Sequence, residues 1–155
     1  MKSYQLRTKQ FLPISIQEAW DFFSSPHNLA IITPRRLNFQ ILSISGSGDL
    51  HEGQIIRYKI TVLPFIRMLW ETEITEVVEQ KSFTDVQRIG PYTSWEHKHR
   101  FTEVVGGVEM TDELEYVLPL GPIGRLGHFL FVDREVKNIF NYRFQVLKEQ
   151  FKKSA

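Results

Sequence analysis

Apolar residues recur at every second position through the middle of the chain, and at every third or fourth position near both ends. Leu37, Phe39 and Ile41 alternate with Asn38 and Gln40, while Ile56, Tyr58, Ile60 and Val62 alternate with Arg57, Lys59 and Thr61. A period of two puts one set of side chains on each face of a strand, so both runs predict half-buried strands. Met68 to Val78, Phe83 to Ile89, Thr93 to Val104 and Val108 to Leu118 continue the alternation, separated by the turn signals SGSGD, LPF, EQKS, IGPY and GG. Tyr4 to Leu12 predicts a further strand, ended by Pro13.

The helical stretches flank this block. Ser15 followed by Glu18 forms a capping box ahead of IQEAWDFFSS, which carries Ile16, Ala19, Trp20 and Phe23 at helical spacing. HNLAIIT predicts a second short helix, stopped before Pro34. From about Gly127 to Lys153, Phe129, Val132, Val136, Phe140, Phe144, Leu147 and Phe151 define an apolar stripe, with Arg134, Lys137, Arg143, Lys148 and Lys152 expected on the other face. A helix of about 24 residues would be roughly 36 Å long. Several strand runs exceed the typical length of about five or six residues, so the sheet should twist and curl. One strand, two short helices, six antiparallel strands and a long helix predict an α+β fold: a seven-stranded curved sheet wrapped around the C-terminal helix, leaving a gap suited to a ligand.

Hairpin registers assign faces. A two-residue turn at Gly106-Gly107 would set Val105 opposite Val108, Phe101 opposite Asp112, His99 opposite Leu114, His97 opposite Tyr116 and Trp95 opposite Leu118. Trp95, His97, His99, Phe101, Met110, Asp112, Leu114, Tyr116 and Leu118 then share the inner face. Glu96, Lys98, Arg100, Glu109, Thr111, Glu113 and Glu115 face outward, with Arg100–Glu113 and Lys98–Glu115 as expected charge pairs. A turn at Gln80-Lys81 adds Trp70, Thr72, Ile74, Phe83, Asp85, Gln87 and Ile89 to the inside. The inner wall is therefore apolar but interrupted by Asp85, Gln87, His97, His99, Asp112 and Tyr116, with Tyr58 a further candidate. An unpartnered buried polar group costs about 1–3 kcal/mol, so these must satisfy one another, hold water or meet a ligand.

Composition narrows the chemistry. The 155 residues suit one domain, and 42% hydrophobic with 24% charged residues are globular values. With no cysteine there is no disulfide or thiolate ligand, which is compatible with a reducing cytoplasm. A net charge of +1, from 19 basic and 18 acidic residues, gives no basic field for nucleic acid. The N-terminus lacks an apolar signal region, and no apolar run is long enough to span a bilayer, so neither export nor membrane insertion is expected. His97 and His99 at i, i+2 with Asp112 nearby form an incomplete metal set, and a polar cluster without metal is the favoured reading. His97 with Asp112 or Asp85 could instead act as a base and its orienting carboxylate, whereas no G-x-S-x-G elbow or Cys supports covalent catalysis. GPIGRLGH lacks the Lys-Ser/Thr of a phosphate loop and is read as a small-residue lead-in to the long helix. Arg35-Arg36 and Lys152-Lys153 are read as solvated charge.

Four stretches carry a resemblance: W-x-T-x-I at Trp70 to Ile74, F-x-D-x-Q at Phe83 to Gln87, GPY-x-x-W-x-H-x-H-x-F at Gly90 to Phe101, and PLGPIG before the long helix. With the order of elements, they resemble the START/pollen-allergen-like helix-grip superfamily (SRPBCC), in particular its bacterial ligand-binding proteins related to polyketide cyclases/dehydrases and coenzyme Q-binding proteins. The resemblance spans nearly the whole chain and implies a helix-grip domain over residues 1–155 with a cavity for a hydrophobic molecule such as a lipid, isoprenoid or polyketide. The expected ligand-binding residues are Tyr58, Trp70, Phe83, Asp85, Gln87, Trp95, His97, His99, Phe101, Asp112, Tyr116 and Phe140. No catalytic residue and no cofactor are carried over. A cyclase or dehydratase using His97 or His99 as base with Asp112 is the alternative. The protein is expected to be cytoplasmic and a monomer or weak dimer.

Overall fold

The computed structural model describes residues 2–63 and 66–152. The chain runs β1 (Ser3–Leu12), α1 (Ile16–Phe23), 3₁₀ turns at Pro26–Ala30 and Arg35–Leu37, β2 (Gln40–Ile44), β3 (Ile55–Leu63), β4 (Ile66–Val78), β5 (Ser82–Ile89), β6 (Ser94–Val104) and β7 (Gly107–Val117). It then continues through α2 (Gly121–Gly127), a π-helical turn (His128–Val132) and α3 (Asp133–Gln150). The seven strands form one antiparallel sheet in the order β1-β7-β6-β5-β4-β3-β2. This is the expected curved sheet with a long C-terminal helical segment. The Pro64-Phe65 part of the LPF turn and Lys153 lie outside the described residues.

The capping box forms as the sequence predicts: the Ser15 hydroxyl accepts from the Glu18 backbone N–H at 3.1 Å. Ala19 and Trp20 of α1 are buried, and Trp20 meets Phe83 and Phe101 edge-on at 6.0 and 5.8 Å. Leu37 belongs to a 3₁₀ turn and not to a strand; Asn38 takes the left-handed conformation (φ 47°), which delays β2 to Gln40.

The β6–β7 register differs from the expected one by two residues. Val104 pairs with Gly107, Phe101 with Met110, His99 with Asp112, His97 with Leu114 and Trp95 with Tyr116. The turn is Val105-Gly106, with Gly106 at φ 87°, the left-handed position of a type II turn. Gly107 serves a different purpose. A Cβ there would lie 2.2 Å from the Leu12 carbonyl oxygen, so its lack of a side chain lets β1 approach. Because strand side chains alternate with period two, a shift of two preserves every face. Arg100 still reaches Glu113 diagonally at 3.1 Å, but Lys98 pairs with Glu76 at 3.5 Å and not with Glu115. Thr111, expected outside, is buried.

Between β4 and β5 the turn has three residues, with Gln80 left-handed (φ 60°). That alone would invert the faces. A bulge at Thr75 adds the missing residue, and Ile74 lies opposite Asp85. A second bulge at Arg88 swings the end of β5 outward, so Ile89 is exposed and not inside.

The C-terminal helical segment starts earlier than expected, since GPIGRLG is itself α2. Small residues matter here: a Cβ at Gly124 would lie 2.0 Å from the Pro119 carbonyl oxygen. The π turn shifts the helical phase, and Phe129, expected inside, is 83% exposed. Along α3 the buried positions are Val136, Phe140, Arg143 and Leu147, while Phe144 is exposed. Arg143, expected on the outer face, therefore points inward. No helix among the described residues is long and apolar enough to cross a membrane.

Candidate functional site

The concave face of the sheet, α3 and the α1–β2 segment enclose a cavity of about 190 Å³. Its wall includes Phe22, Leu29, Ile32, Leu37 and Phe39 from the segment after β1, Tyr58 and Ile60 from β3, and Trp70 and Ile74 from β4. Phe83 and Asp85 of β5, Tyr92, Trp95, His97 and His99 of the β5–β6 region, Asp112 of β7, and Val136, Ile139, Phe140 and Arg143 of α3 complete it. The apolar side is largely aromatic: Tyr58 stacks on Trp70 at 5.9 Å, and Trp70 meets Trp95 edge-on at 5.3 Å.

One region of the wall is charged. Asp85, His97, His99 and Asp112 alternate in a closed ring across three adjacent strands. His97 Nε2 donates to Asp112 Oδ1 at 2.8 Å, and His99 Nε2 donates to Asp85 Oδ2 at 2.7 Å. The other ring nitrogens face the opposite carboxylates, His97 Nδ1 at 3.8 Å from Asp85 and His99 Nδ1 at 3.4 Å from Asp112. The two imidazoles lie 3.8 Å apart, and Phe83 stacks on His99 at 4.1 Å. Thr8 of β1 donates its hydroxyl to Asp112 at 3.5 Å. Arg143 descends from α3 and places Nη1 4.0 Å from Asp112 Oδ1, with its guanidinium 5.1 Å from the Phe140 ring.

These contacts separate the two imidazoles electrostatically. Burial, and then the charge of His99, lower the His97 pKa, and Asp112 and Asp85 only partly offset this. Burial also opposes charge on His99, but its bonds to Asp112 and Asp85 outweigh burial and raise its pKa. Both aspartates would be pushed up by burial, yet the hydrogen bonds and charges of the histidines hold them below the ordinary carboxylate range. Burial and the Asp85 charge push the Tyr58 hydroxyl well up, so it stays a protonated donor.

Asp85, His97 and His99 each offer one ligand atom, all within 4.8 Å of one another, so this trio is where a divalent ion could be held. Nε2 of each histidine already has a carboxylate partner, and Arg143 adds a positive charge beside the ring.

Tyr58, Trp70, Phe83, Asp85, Trp95, His97, His99, Asp112 and Phe140 line the cavity as the sequence reading expects. Three other candidates are used elsewhere. The Gln87 amide is tied to the Tyr92 backbone, donating to its carbonyl at 2.7 Å and accepting from its N–H at 3.2 Å. Phe101 is core, packed on Trp20 and Phe23. Tyr116 bonds His128 at 2.8 Å beyond the cavity wall. Sequence reasoning missed Arg143 because positions 143 and 144 both border the stripe set by Val136, Phe140 and Leu147. Only the position of Asp112 across the gap favours the arginine inside.

No protein-family model matches the chain, and no curated protein matches it in sequence. Solved structures do match. Protein CV1439 from Chromobacterium violaceum is 11% identical, with a TM-score of 0.72 over 97% of this chain and 98% of its own. The di-domain ARO/CYC BexL from the BE-7585A biosynthetic pathway is 13% identical, with a TM-score of 0.72 over 99% of this chain and 51% of its own. Ara h 8.0201 is 13% identical, with a TM-score of 0.60 over 96% of this chain and 99% of its own. The likeness is one of fold: the chain shares the helix-grip architecture of these structures.

Proposed function

We propose that the protein binds and carries a small hydrophobic molecule with a polar end in the cavity between the sheet and α3. It acts as a single cytoplasmic domain, monomeric or weakly dimeric, without nucleic-acid or membrane-inserted partners, in the manner of the bacterial ligand-binding members of the superfamily. The observation that carries this reading is the wall itself, a largely aromatic and aliphatic lining broken at one place by a hydrogen-bonded charged cluster. Apolar lining supplies affinity, and the few polar groups orient the ligand. The cavity volume of about 190 Å³ lies below the ~300–1,000 Å³ usual for drug-sized ligands, which favours a small occupant or one that protrudes from the mouth.

The second reading is a cyclase- or dehydratase-type enzyme, to which the ARO/CYC likeness lends support. Two features favour it: each imidazole is oriented by a carboxylate, and the pKa values of His97 and His99 are pushed apart, as in an acid–base pair. Against it, both nitrogens of each ring are turned toward aspartates, leaving none directed at a substrate.

Native mass spectrometry of protein purified from its own host identifies what co-purifies, and His97→Gln and His99→Gln then separate the readings. A carrier loses no more than one hydrogen bond's worth of affinity, about 1.5 kcal/mol at most, and converts nothing. An enzyme loses about 10²–10⁴-fold in rate while still holding its ligand. Conversion of the ligand by the wild type and retention of it unconverted by one variant would refute the carrier reading.

A further inference from the structure

Arg143 is a feature of the cavity that the carrier reading leaves unexplained. It is 9% exposed and lines the cavity, and its Nε has no hydrogen-bond partner. Its Nη1 stands 4.0 Å from Asp112, outside hydrogen-bond distance, and the guanidinium makes no hydrogen bond among the described residues. The aspartates do not need it as a donor. Asp112 already accepts from His97 and Thr8, and Asp85 accepts from His99. The other acidic side chain of the wall, Glu135, is paired with Arg36 at 2.7 Å. A second orphan points the same way: Trp70, also in the wall, has a buried Nε1–H with no partner. The orphaned acceptor of the wall, Glu135 Oε1, has the Arg36 guanidinium 2.7 Å away, so the wall's two orphans with no partner within hydrogen-bond distance are both donors. A buried guanidinium presents parallel N–H bonds along its Nε–Nη2 edge, a geometry that matches the two oxygens of a carboxylate.

The geometry points to a small apolar carboxylate as the ligand class, its carboxylate taken by Arg143 and its hydrocarbon part by the aromatic wall. This inference rests on the carrier reading and narrows it. One guanidinium and a cavity of about 190 Å³ suit a monovalent planar head on a compact body, and not a phosphate ester or a two-chain lipid.

Isothermal titration with two pairs of probes, octanoate with octanamide and naphthalene-2-carboxylate with naphthalene-2-carboxamide, tests it at pH 7. Each pair keeps size and shape and changes only the charge. The wild type should bind at least one acid about 10- to 100-fold more tightly than its amide, the range of a charge-assisted hydrogen bond. Arg143→Gln should erase that preference while leaving amide binding in place. Amides that bind as well as the acids to the wild type would overturn the inference and leave the carrier reading standing, with Arg143 reduced to a counter-charge for the aspartates. Failure of all four probes to bind would count against both. If Arg143→Gln does not fold, Arg143→Lys keeps the charge and removes the fork. The acid preference should then shrink, and an undiminished preference would overturn the two-bond geometry.

Discussion

Replacing Asp112 by Asn tests whether the charged ring holds the fold together as well as furnishing the site. The amide keeps the shape and removes the charge. Asp112 is 3% exposed and faces His97 Nε2 at 2.8 Å, His99 Nδ1 at 3.4 Å and Arg143 Nη1 at 4.0 Å. Hydrogen bonds to charged groups contribute about 1.5–3 kcal/mol and neutral ones about 0.5–1.5, so each imidazole contact weakens by roughly 1 kcal/mol. Arg143 also loses its nearest counter-charge, and breaking a buried pair on one side costs about 3–5 kcal/mol. We expect a total near the low end of that sum, about 5 kcal/mol. For a chain of this size that lowers Tm by roughly 10–20 °C. Urea unfolding at pH 6.5, extrapolated linearly to water, measures it. Arg100→Gln is the control: its partner Glu113 is 3.1 Å away, but both side chains are well exposed, so about 1 kcal/mol or less is expected. A loss below about 1 kcal/mol for Asp112→Asn would refute the reasoning, since the ring would then contribute no more than a surface pair.

The two histidines give stability an optimum in pH. His99, whose folded pKa is raised above 6.5, contributes stability that is full below 6.5 and lost as pH rises through its folded pKa. His97, whose folded pKa is lowered, contributes stability that is full above 6.5 and lost as pH falls, and the aspartates add a further loss below their unfolded value of 3.8. Tm should therefore peak near pH 6.5 and fall on both sides, and a monotonic profile from pH 5 to 8 in scanning calorimetry would contradict the assignment. Chelation should leave Tm unchanged if Asp85, His97 and His99 act as a polar cluster, whereas a fall of several degrees with EDTA, restored by zinc, would make the trio a metal centre. Gly107→Ala should destabilise by about 1–3 kcal/mol, because the new methyl would sit 2.2 Å from the Leu12 carbonyl oxygen and β1 must shift. Gly48→Ala, with open space around it, should cost only the strain of its φ of 92°, and equal losses in urea denaturation would refute the close-approach argument.

Local periodicity was enough to determine the strand order, most strand faces and most of the sheet's share of the cavity wall. Alternation at period two is a property of each strand alone, so the assumed hairpin turns had only to align whole faces to bring His97, His99, Asp85 and Asp112 inside. An error of two residues in the β6–β7 register left that assignment intact for the same reason. Three things were decided only in three dimensions. The bulges at Thr75 and Arg88 depend on how three curved strands fit together, and they set Asp85 against Ile74 while turning Ile89 out to solvent. The π turn underwinds the last helix relative to a straight 3.6-residue count, which shifts its stripe and leaves Phe129 exposed. And Arg143 lies at the edge of the helical stripe, where sequence spacing does not distinguish it from Phe144. It turns inward because the sheet presents the buried Asp112 and the half-buried Asp85 opposite it, a charge arrangement contributed by residues more than thirty positions away in the chain and brought together only by the closed fold.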